Sequence, residues 1–361
     1  MAYAKDTKRR LIEGFDPEAT TIPEYAKAND ISESTFRKWI RKAENNGTLK
    51  TDVEVSDKHP QPNFMKKLDP GFNVMNVLQM LSSRVADHRD EEKDYCKIAV
   101  ETNKPIAVIK AADLHLGGMD VDYKSLMEHY QFLMEEDRFY LQLFGDDINM
   151  MIMHKTTAAR HDILTPDEQC NLLVGMVDQL LERGKLLSMC WGNHSDEFTE
   201  RTAGFSLVKL LLSKKVPYFS GMGYIDLVVG GQTYGQGFTH KTRFNSFMNP
   251  LHGSKRMQQM HYEIFGLNRP MCREYITAHT HFPAVALEGC QPEDRIYLIK
   301  CGTFKTEDLY SRRYFAKGRI GCPTIVYYPD RVEHIAFPTP YDAYRYMTGK
   351  DWPGLKNSER K

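Results

Sequence analysis

Read in order, five short motifs place nitrogen and oxygen donors at the ends of apolar runs. IAVIKAAD (106–113) leads into Asp113-Leu114-His115, and FYLQLFGDD (139–147) carries Gly145-Asp146. KLLSMCWGNH (185–194) ends in Gly192-Asn193-His194, the stretch YIDLVVGGQTYGQGFTH ends at His240, and REYITAHTH (273–281) ends in His279-Thr280-His281. This mixture of Asp, Asn and His suits a binuclear centre of borderline divalent metals, Mn²⁺ first with Fe or Zn²⁺ as alternatives, rather than a calcium or thiolate site. Two such cations roughly 3.5–4 Å apart need a carboxylate between them, and they acidify a shared water into a nucleophile.

The elements that must position these donors follow from the surrounding pattern. From about Ile98 to Pro338, β-rich runs alternate with helical ones, which predicts an α/β layered domain. In such a layer the carboxyl ends of the strands meet at one rim, so five motifs far apart in sequence converge there.

The ordered set D-x-H, G-D, G-N-H, H and H-x-H resembles the calcineurin-like metallophosphoesterase superfamily over roughly residues 105–330. The resemblance implies a layered β-sandwich flanked by helices, with one metal on Asp113, His115 and His281 and a second on Asn193, His240 and His279. Asp146 bridges the two in this scheme. His194, left without a metal, is expected to stabilise the transition state or protonate the leaving oxygen. In the family an acidic residue after G-N-H orients this histidine; here Ser195 follows, and Asp196 is the expected substitute one position later. The last motif begins with Ala278 instead of glycine, a small-for-small change. His252 and His261 compete with His240, which is preferred because it ends a β-run. The superfamily hosts phosphatases, nucleotide phosphodiesterases and DNA exonucleases. The exonuclease subgroup carries a second histidine three residues after the bridging aspartate, where this chain has Asn149. His154 and His161 fall in a polar stretch that reads as a surface loop.

The first fifty residues have a different texture. In TIPEYAKANDISESTFRKWIRKAENNG, Ile22, Tyr25 and Ala26 predict a short helix, Asn29-Asp30 a turn, Ile31 an apolar plug and Ser32 the cap of a second helix. Phe36, Trp39, Ile40 and Ala43 line one face of that helix. The segment resembles the helix-turn-helix of transposases and resolvase-like proteins, with Asp30 where glycine is usual. That resemblance implies DNA as a partner, with Ser34, Thr35 and Lys38 toward bases and Arg37, Arg41 and Lys42 toward phosphates. Ten Lys+Arg against eight Asp+Glu in this stretch is a small excess for that task.

Composition sets the outer limits. The 361 residues carry 48 Lys+Arg and 48 Asp+Glu, so an overall basic coat for nucleic acid is excluded, although residues 301–361 hold eleven basic and seven acidic side chains. YSRRYFAKGRIG (310–321) interleaves Arg312 and Arg313 with aromatics, a pattern able to pair phosphates and stack bases. Seven scattered cysteines without C-x-x-C, no apolar run of bilayer length and no signal-like start lead to the expectation of a reduced, cytoplasmic protein with no membrane partner. The predicted organisation is a helix-turn-helix domain at 1–50, a partly helical linker at 51–104, a metallophosphoesterase domain at 105–338 and a polar tail at 339–361. The leading functional reading is a two-metal phosphodiesterase acting as a DNA nuclease. The alternatives are a phosphatase or small-nucleotide phosphodiesterase with a partner-recruiting helical domain, and a DNA-binding regulator with an inactive esterase.

Overall fold

The structure, a computed structural model, describes residues 5–16, 19–45, 75–76, 78–83, 95–150, 162–242, 249–289, 291–306 and 318–354. His154, His161, Arg312 and Arg313 lie outside this set. The chain divides into two units, residues 1–78 and 79–361.

In the first unit, helices α1 (Lys5–Glu13), α2 (Ile22–Ala28) and α3 (Glu33–Asn45) surround Leu11, Ala26, Ile31, Phe36 and Ile40. Phe15, Tyr25 and Phe36 pack ring to ring at centroid distances of 5.2 to 5.5 Å. Glu24 accepts from the Thr21 backbone N–H at 3.2 Å, and Ser32 Oγ accepts from the Thr35 N–H at 3.3 Å. Caps of this kind contribute about 1 kcal/mol each. Asp30 adopts φ +52°, the left-handed conformation that Asp tolerates better than most residues. The turn therefore forms without the usual glycine.

The second unit is a sandwich of two mixed six-stranded sheets with helices on both outer faces, the layered α/β architecture expected from the sequence. One sheet has the order β1 (Tyr95–Val100), β6 (Gly223–Val229), β7 (Gln232–Thr239), β8 (Glu274–Thr277), β10 (Ile296–Lys300), β9 (Ala284–Glu288). The other has the order β12 (His334–Phe337), β11 (Thr324–Tyr327), β2 (Ile106–Ala111), β3 (Phe139–Leu143), β4 (Leu186–Cys190), β5 (Tyr218–Phe219). Strands β2, β3 and β4 run parallel and are buried on both faces, which explains their nearly continuous apolar runs. Alternate residues of β2 split between two cores: Ile106 and Val108 face the opposite sheet, while Ala107, Ile109 and Ala111 face helices α4 (Tyr123–Glu135) and α5 (Pro166–Glu182). Helices α6 (Phe198–Ala203) and α7 (Leu207–Leu212) follow β4. Helices α8 (His252–Gln259) and α9 (His261–Phe265) follow β7, where Met257 packs against Tyr224, Tyr275 and Leu298 on the outside of the first sheet.

Two segments differ from expectation. Residues 95–100, inside the predicted linker, form β1 and pair in parallel with β6 from Tyr95–Tyr224 to Val100–Val229. Residues 340–348, inside the predicted polar tail, form helix α10 (Pro340–Thr348), begun by Thr339 Oγ1 accepting from the Asp342 N–H. Tyr341, Ala343 and Trp352 enter the main core, where Tyr341 and Trp352 meet the Phe132 ring at 5.2 and 5.3 Å. The polar residues on one face of this helix conceal the stripe Tyr341, Tyr344, Met347 at helical spacing. No helix among the described residues is long and apolar enough to cross a membrane.

Candidate metal centre

The carboxyl ends of β2, β3, β4, β7 and β8 meet, and each delivers one motif. Glycine opens two of these motifs because the backbones nearly touch. A Cβ at Gly192 would collide with the backbone N of Asp146, and one at Gly145 (φ +88°) with the carbonyl of Trp191.

The two carboxylates lock the motifs together. Asp146 Oδ1 accepts from the His194 backbone N–H at 2.7 Å, and Asp113 Oδ2 accepts from the His279 N–H at 3.0 Å. Each then has a second oxygen, Asp146 Oδ2 and Asp113 Oδ1, that is buried and accepts no hydrogen bond. Those oxygens face imidazoles. Asp113 Oδ1 lies 3.2 Å from His281 Nε2 and 3.8 Å from His115 Nε2, and the two Nε2 atoms are themselves 3.2 Å apart. Asp146 Oδ2 lies 3.1 Å from His240 Nε2, which is 3.1 Å from Asn193 Oδ1. The His240 ring is aimed by its other nitrogen, which donates to the Phe144 carbonyl at 2.7 Å.

Three donor groups result, each with its atoms within 4.8 Å of one another: Asp113/His115/His281, His115/Asp146/His194 and Asp146/His240/His279. Asp146 and His115 each belong to two groups, so the clusters are continuous, with Asp146 at the junction. Buried carboxylate oxygens without a donor are costly unless a positive charge meets them. The donor set therefore fits divalent cations. Five of these residues, Asp113, His115, Asp146, His279 and His281, have φ between +49° and +73°. Each such non-glycine backbone costs on the order of 1–3 kcal/mol and persists only where the surroundings over-determine it.

Electrostatics agree with the geometry. Burial, reinforced by His194, Lys305 and His281, holds the His115 imidazole well below its usual range, and burial above all brings His279 down to about 4. Burial alone would raise Asp146, but His240 and His194 outweigh it and hold the carboxyl well below the usual range. Burial opposes charge on His240 as well, and the Asp146 carboxylate overrides it, raising the imidazole to about 9. Neutral imidazoles beside ionised carboxylates are the protonation states that metal ligation needs. His240 is the exception: Nε2 has to give up its proton before it can ligate.

All seven expected ligands come together, and His240 rather than its competitors joins them. His261 is buried elsewhere, with Nδ1 2.9 Å from the Tyr275 hydroxyl and Nε2 3.0 Å from the Arg269 carbonyl, and His252 begins α8 on the surface. The expectation for Asp196 is corrected. Its carboxylate accepts from the Ser206 and Tyr218 hydroxyls and from the backbone N–H groups of Val208 (3.1 Å), Lys209 (3.3 Å) and Gly192 (3.4 Å). It pins α7 and β5 to the G-N-H turn and leaves His194 alone. His194 Nδ1 instead lies 2.7 Å from the Asn149 carbonyl, to which it donates.

In the N-terminal unit Ser34, Arg37, Lys38, Arg41 and Lys42 are exposed on α3 and Thr35 is half-buried. Arg37 already pairs with Glu33 at 2.7 Å. Sequence reasoning missed Lys305, whose buried ammonium donates to Asn149 Oδ1 at 3.2 Å, and Asp147, whose buried carboxyl is pushed well above its usual range by burial and by Asp196 and Asp146. The pair of aspartates in FGDD was the visible signal for Asp147; for Lys305 there was none.

No family model and no curated protein matches the sequence. Among solved structures, Vacuolar Protein Sorting 29 from Cryptosporidium parvum is similar with 13% identity and a TM-score of 0.33, covering 65% of this chain and 96% of that one. The calcineurin-like phosphoesterase YfkN from Bacillus subtilis is similar with 10% identity and a TM-score of 0.30, covering 63% and 85%. The nuclease MPE from Pseudomonas putida has 14% identity and a TM-score of 0.26, covering 64% and 87%. These likenesses are loose, and what the centre can do follows from its own geometry: a buried cluster of Asp, Asn and His donors fit to hold divalent metal ions.

Proposed function

We propose that the chain is a two-metal phosphoesterase that hydrolyses phosphodiester bonds, a DNA nuclease directed to its substrate by the N-terminal helices. The observation that carries the reading is the linked donor groups at five strand ends, with a buried oxygen on each of Asp113 and Asp146 that faces an imidazole nitrogen at 3.2 and 3.1 Å. Asp113, His115 and His281 would hold one cation and Asn193, His240 and His279 the other, with Asp146 between them. Divalent ions bound there, Mn²⁺ or else Fe or Zn²⁺, would supply Lewis acidity toward phosphoryl oxygens and a water of lowered pKa. His194 sits edge-on to His115 with ring centroids 4.6 Å apart, beside the donor groups, and as an imidazolium would give a proton to the leaving oxygen.

Support for a nucleic-acid substrate is of two kinds. The exposed face of α3 presents Lys38, Arg41 and Lys42 together with Ser34. Beside the centre, Arg319 lies over the Phe282 ring at 4.4 Å, and its backbone N–H donates to the His281 carbonyl at 2.9 Å. A guanidinium stacked on an aromatic ring next to the H-x-H motif suits a phosphodiester flanked by bases. Arg312 and Arg313 belong to the same reading from sequence alone.

The pairing of Arg37 with Glu33 and of Arg9 with Glu13 reduces the charge available for phosphates. It favours the second reading, a phosphatase or small-nucleotide phosphodiesterase whose helices recruit a protein. A substrate panel with Mn²⁺ separates them: p-nitrophenyl phosphate, bis-p-nitrophenyl phosphate, plasmid and single-stranded DNA. Cleavage of the diester and of DNA is expected. Diester hydrolysis with every DNA intact overturns the nuclease, and a chain that binds no divalent metal overturns both readings in favour of an inactive regulator.

A further inference from the structure

We infer that Asn149 and Lys305 are positioning residues for His194, a clamp that fixes which imidazole nitrogen faces the donor cluster. The inference rests on the reading of His194 as the proton donor to the leaving oxygen. With Asp196 committed to α7, β5 and the G-N-H turn, the group that orients His194 is the main-chain carbonyl of Asn149, which accepts from Nδ1 at 2.7 Å. The acceptor is uncharged, so its hold on the ring depends on how firmly its own peptide is held.

That peptide is anchored on every side. The Asn149 N–H donates to the Leu116 carbonyl at 3.0 Å, Asn149 Nδ2 donates to Asp162 Oδ1, and Asn149 Oδ1 accepts from Lys305 Nζ at 3.2 Å. The side chain is 1% exposed, so both ends of its amide are engaged inside the protein. The next residue, Met150, holds φ +36°, and its N–H donates to Gln169 Oε1 at 2.9 Å, which keeps the turn from relaxing.

Lys305 is rooted as firmly. Its N–H donates to Thr303 Oγ1 at 2.9 Å, and that hydroxyl donates to the Asp113 carbonyl at 2.8 Å. Lys305 also bridges to Val121 through the backbone. A short chain of contacts thus runs from Asp113 through Thr303, Lys305 and Asn149 to the His194 ring. It ties the position of the proton donor to that of a metal ligand. Displacements of about 1 Å at a reacting group can cost a factor of about 100, which is reason enough for such a tie.

The test uses the full chain and three variants: Lys305→Met, Asn149→Ala and Lys305→Arg. With bis-p-nitrophenyl phosphate and Mn²⁺, Lys305→Met and Asn149→Ala are expected to lower kcat by about 10- to 100-fold with KM within about twofold, and Lys305→Arg to recover most of the loss. Metal stoichiometry should be unchanged in all three. The second readout needs no turnover: it is the tautomer of the neutral ring. In the metal-free chain, at a pH where the imidazoles are neutral, ¹⁵N NMR should show the single proton of His194 on Nδ1. Nε2, toward the cluster, is then free to take up the proton that the leaving oxygen receives. This single tautomer should give way to averaging in Lys305→Met and Asn149→Ala. A higher KM at unchanged kcat in Lys305→Met overturns the proposal, because Lys305 then serves substrate binding. A neutral wild-type His194 whose single proton sits on Nε2 overturns it as well. If the wild type hydrolyses no phosphodiester while the tautomer is lost in the variants, the clamp stands and the functional reading falls.

Discussion

Two clusters of polar side chains lie buried in the same sandwich, and they differ in one respect. Between the sheets, Lys110, Gln142, Gln236, Glu274 and Tyr327 are all fully buried. Lys110 Nζ reaches Gln142 Oε1 (2.6 Å), the Tyr327 hydroxyl (3.0 Å) and Glu274 Oε2 (3.0 Å). Gln142 Nε2 donates to Gln236 Oε1 at 2.9 Å, Gln236 Nε2 to the Tyr327 hydroxyl at 2.9 Å, and Tyr327 to Glu274 Oε1. These side chains satisfy one another, joining β2, β3 and β11 of one sheet to β7 and β8 of the other. At the strand ends, by contrast, Asp113 Oδ1, Asp146 Oδ2, His115 Nδ1 and His279 Nδ1 have no hydrogen-bond partner. A network that closes on itself needs no ligand and sets how two sheets align; one that stays open, at strained backbone, is built for something that comes from outside.

The comparison breaks most sharply at Asp146. Asp146→Ala removes the carboxylate common to two donor groups, so metal binding and hydrolysis should both be lost. In the wild type, Mn²⁺ at about 100 times its Kd should stabilise folding by about 2.7 kcal/mol, read as a shift in urea midpoint, and the variant should show no shift. A retained shift would mean that cations bind away from this cluster. His194→Gln should cost about 10²- to 10⁴-fold in kcat while both metals remain, measured by turnover alongside metal content. Equal loss of metal would place His194 among the ligands.

Lys110→Met probes the closed network in the same manner. Removing one partner of a buried pair costs about 3–5 kcal/mol because the other is left without compensation. Its unfolding midpoint should fall accordingly, with Mn²⁺ affinity per folded molecule unchanged. Loss of metal affinity at full stability would show that the two clusters are one unit.

The open cluster was legible in the sequence and the closed one was not. Each ligand motif sits just after an apolar run, because a strand's end is where a side chain can leave the core, so Asp113, Asp146, Asn193 and His240 could be named from local pattern. Lys110 and Glu274 lie inside such runs, in IAVIKA and EYIT, where a charge reads as an interruption until a partner from another strand is known. Asp196 failed for a related reason. Proximity to His194 in sequence suggested a contact, but the turn at Asn193–Glu197 sends its carboxylate to Ser206 and Tyr218. Helix α10 was hidden by composition, since counting polar residues over 339–361 averages away a stripe of aromatics.

The mildest perturbation lies at the border of the closed network. His334 is fully buried, nearly parallel to the Tyr327 ring at 8°, with Nδ1 lacking a hydrogen-bond partner. Burial lowers its pKa from 6.5, and Glu274 offsets this only in part. A histidine held below its unfolded value is neutral in the folded chain while the unfolded chain takes up a proton. Stability is therefore complete above pH 6.5 and declines as the pH falls through 6.5 toward the folded value, at no more than about 1.4 kcal/mol per pH unit. His334→Phe keeps a ring against Tyr327 and removes the titration. In urea titrations with EDTA at pH 7.5 and 5.5, the variant should lose less stability than the wild type on acidification. Equal losses would mean that His334 takes a proton inside the sandwich as readily as in water, and the network beside it would then be open to solvent, not closed.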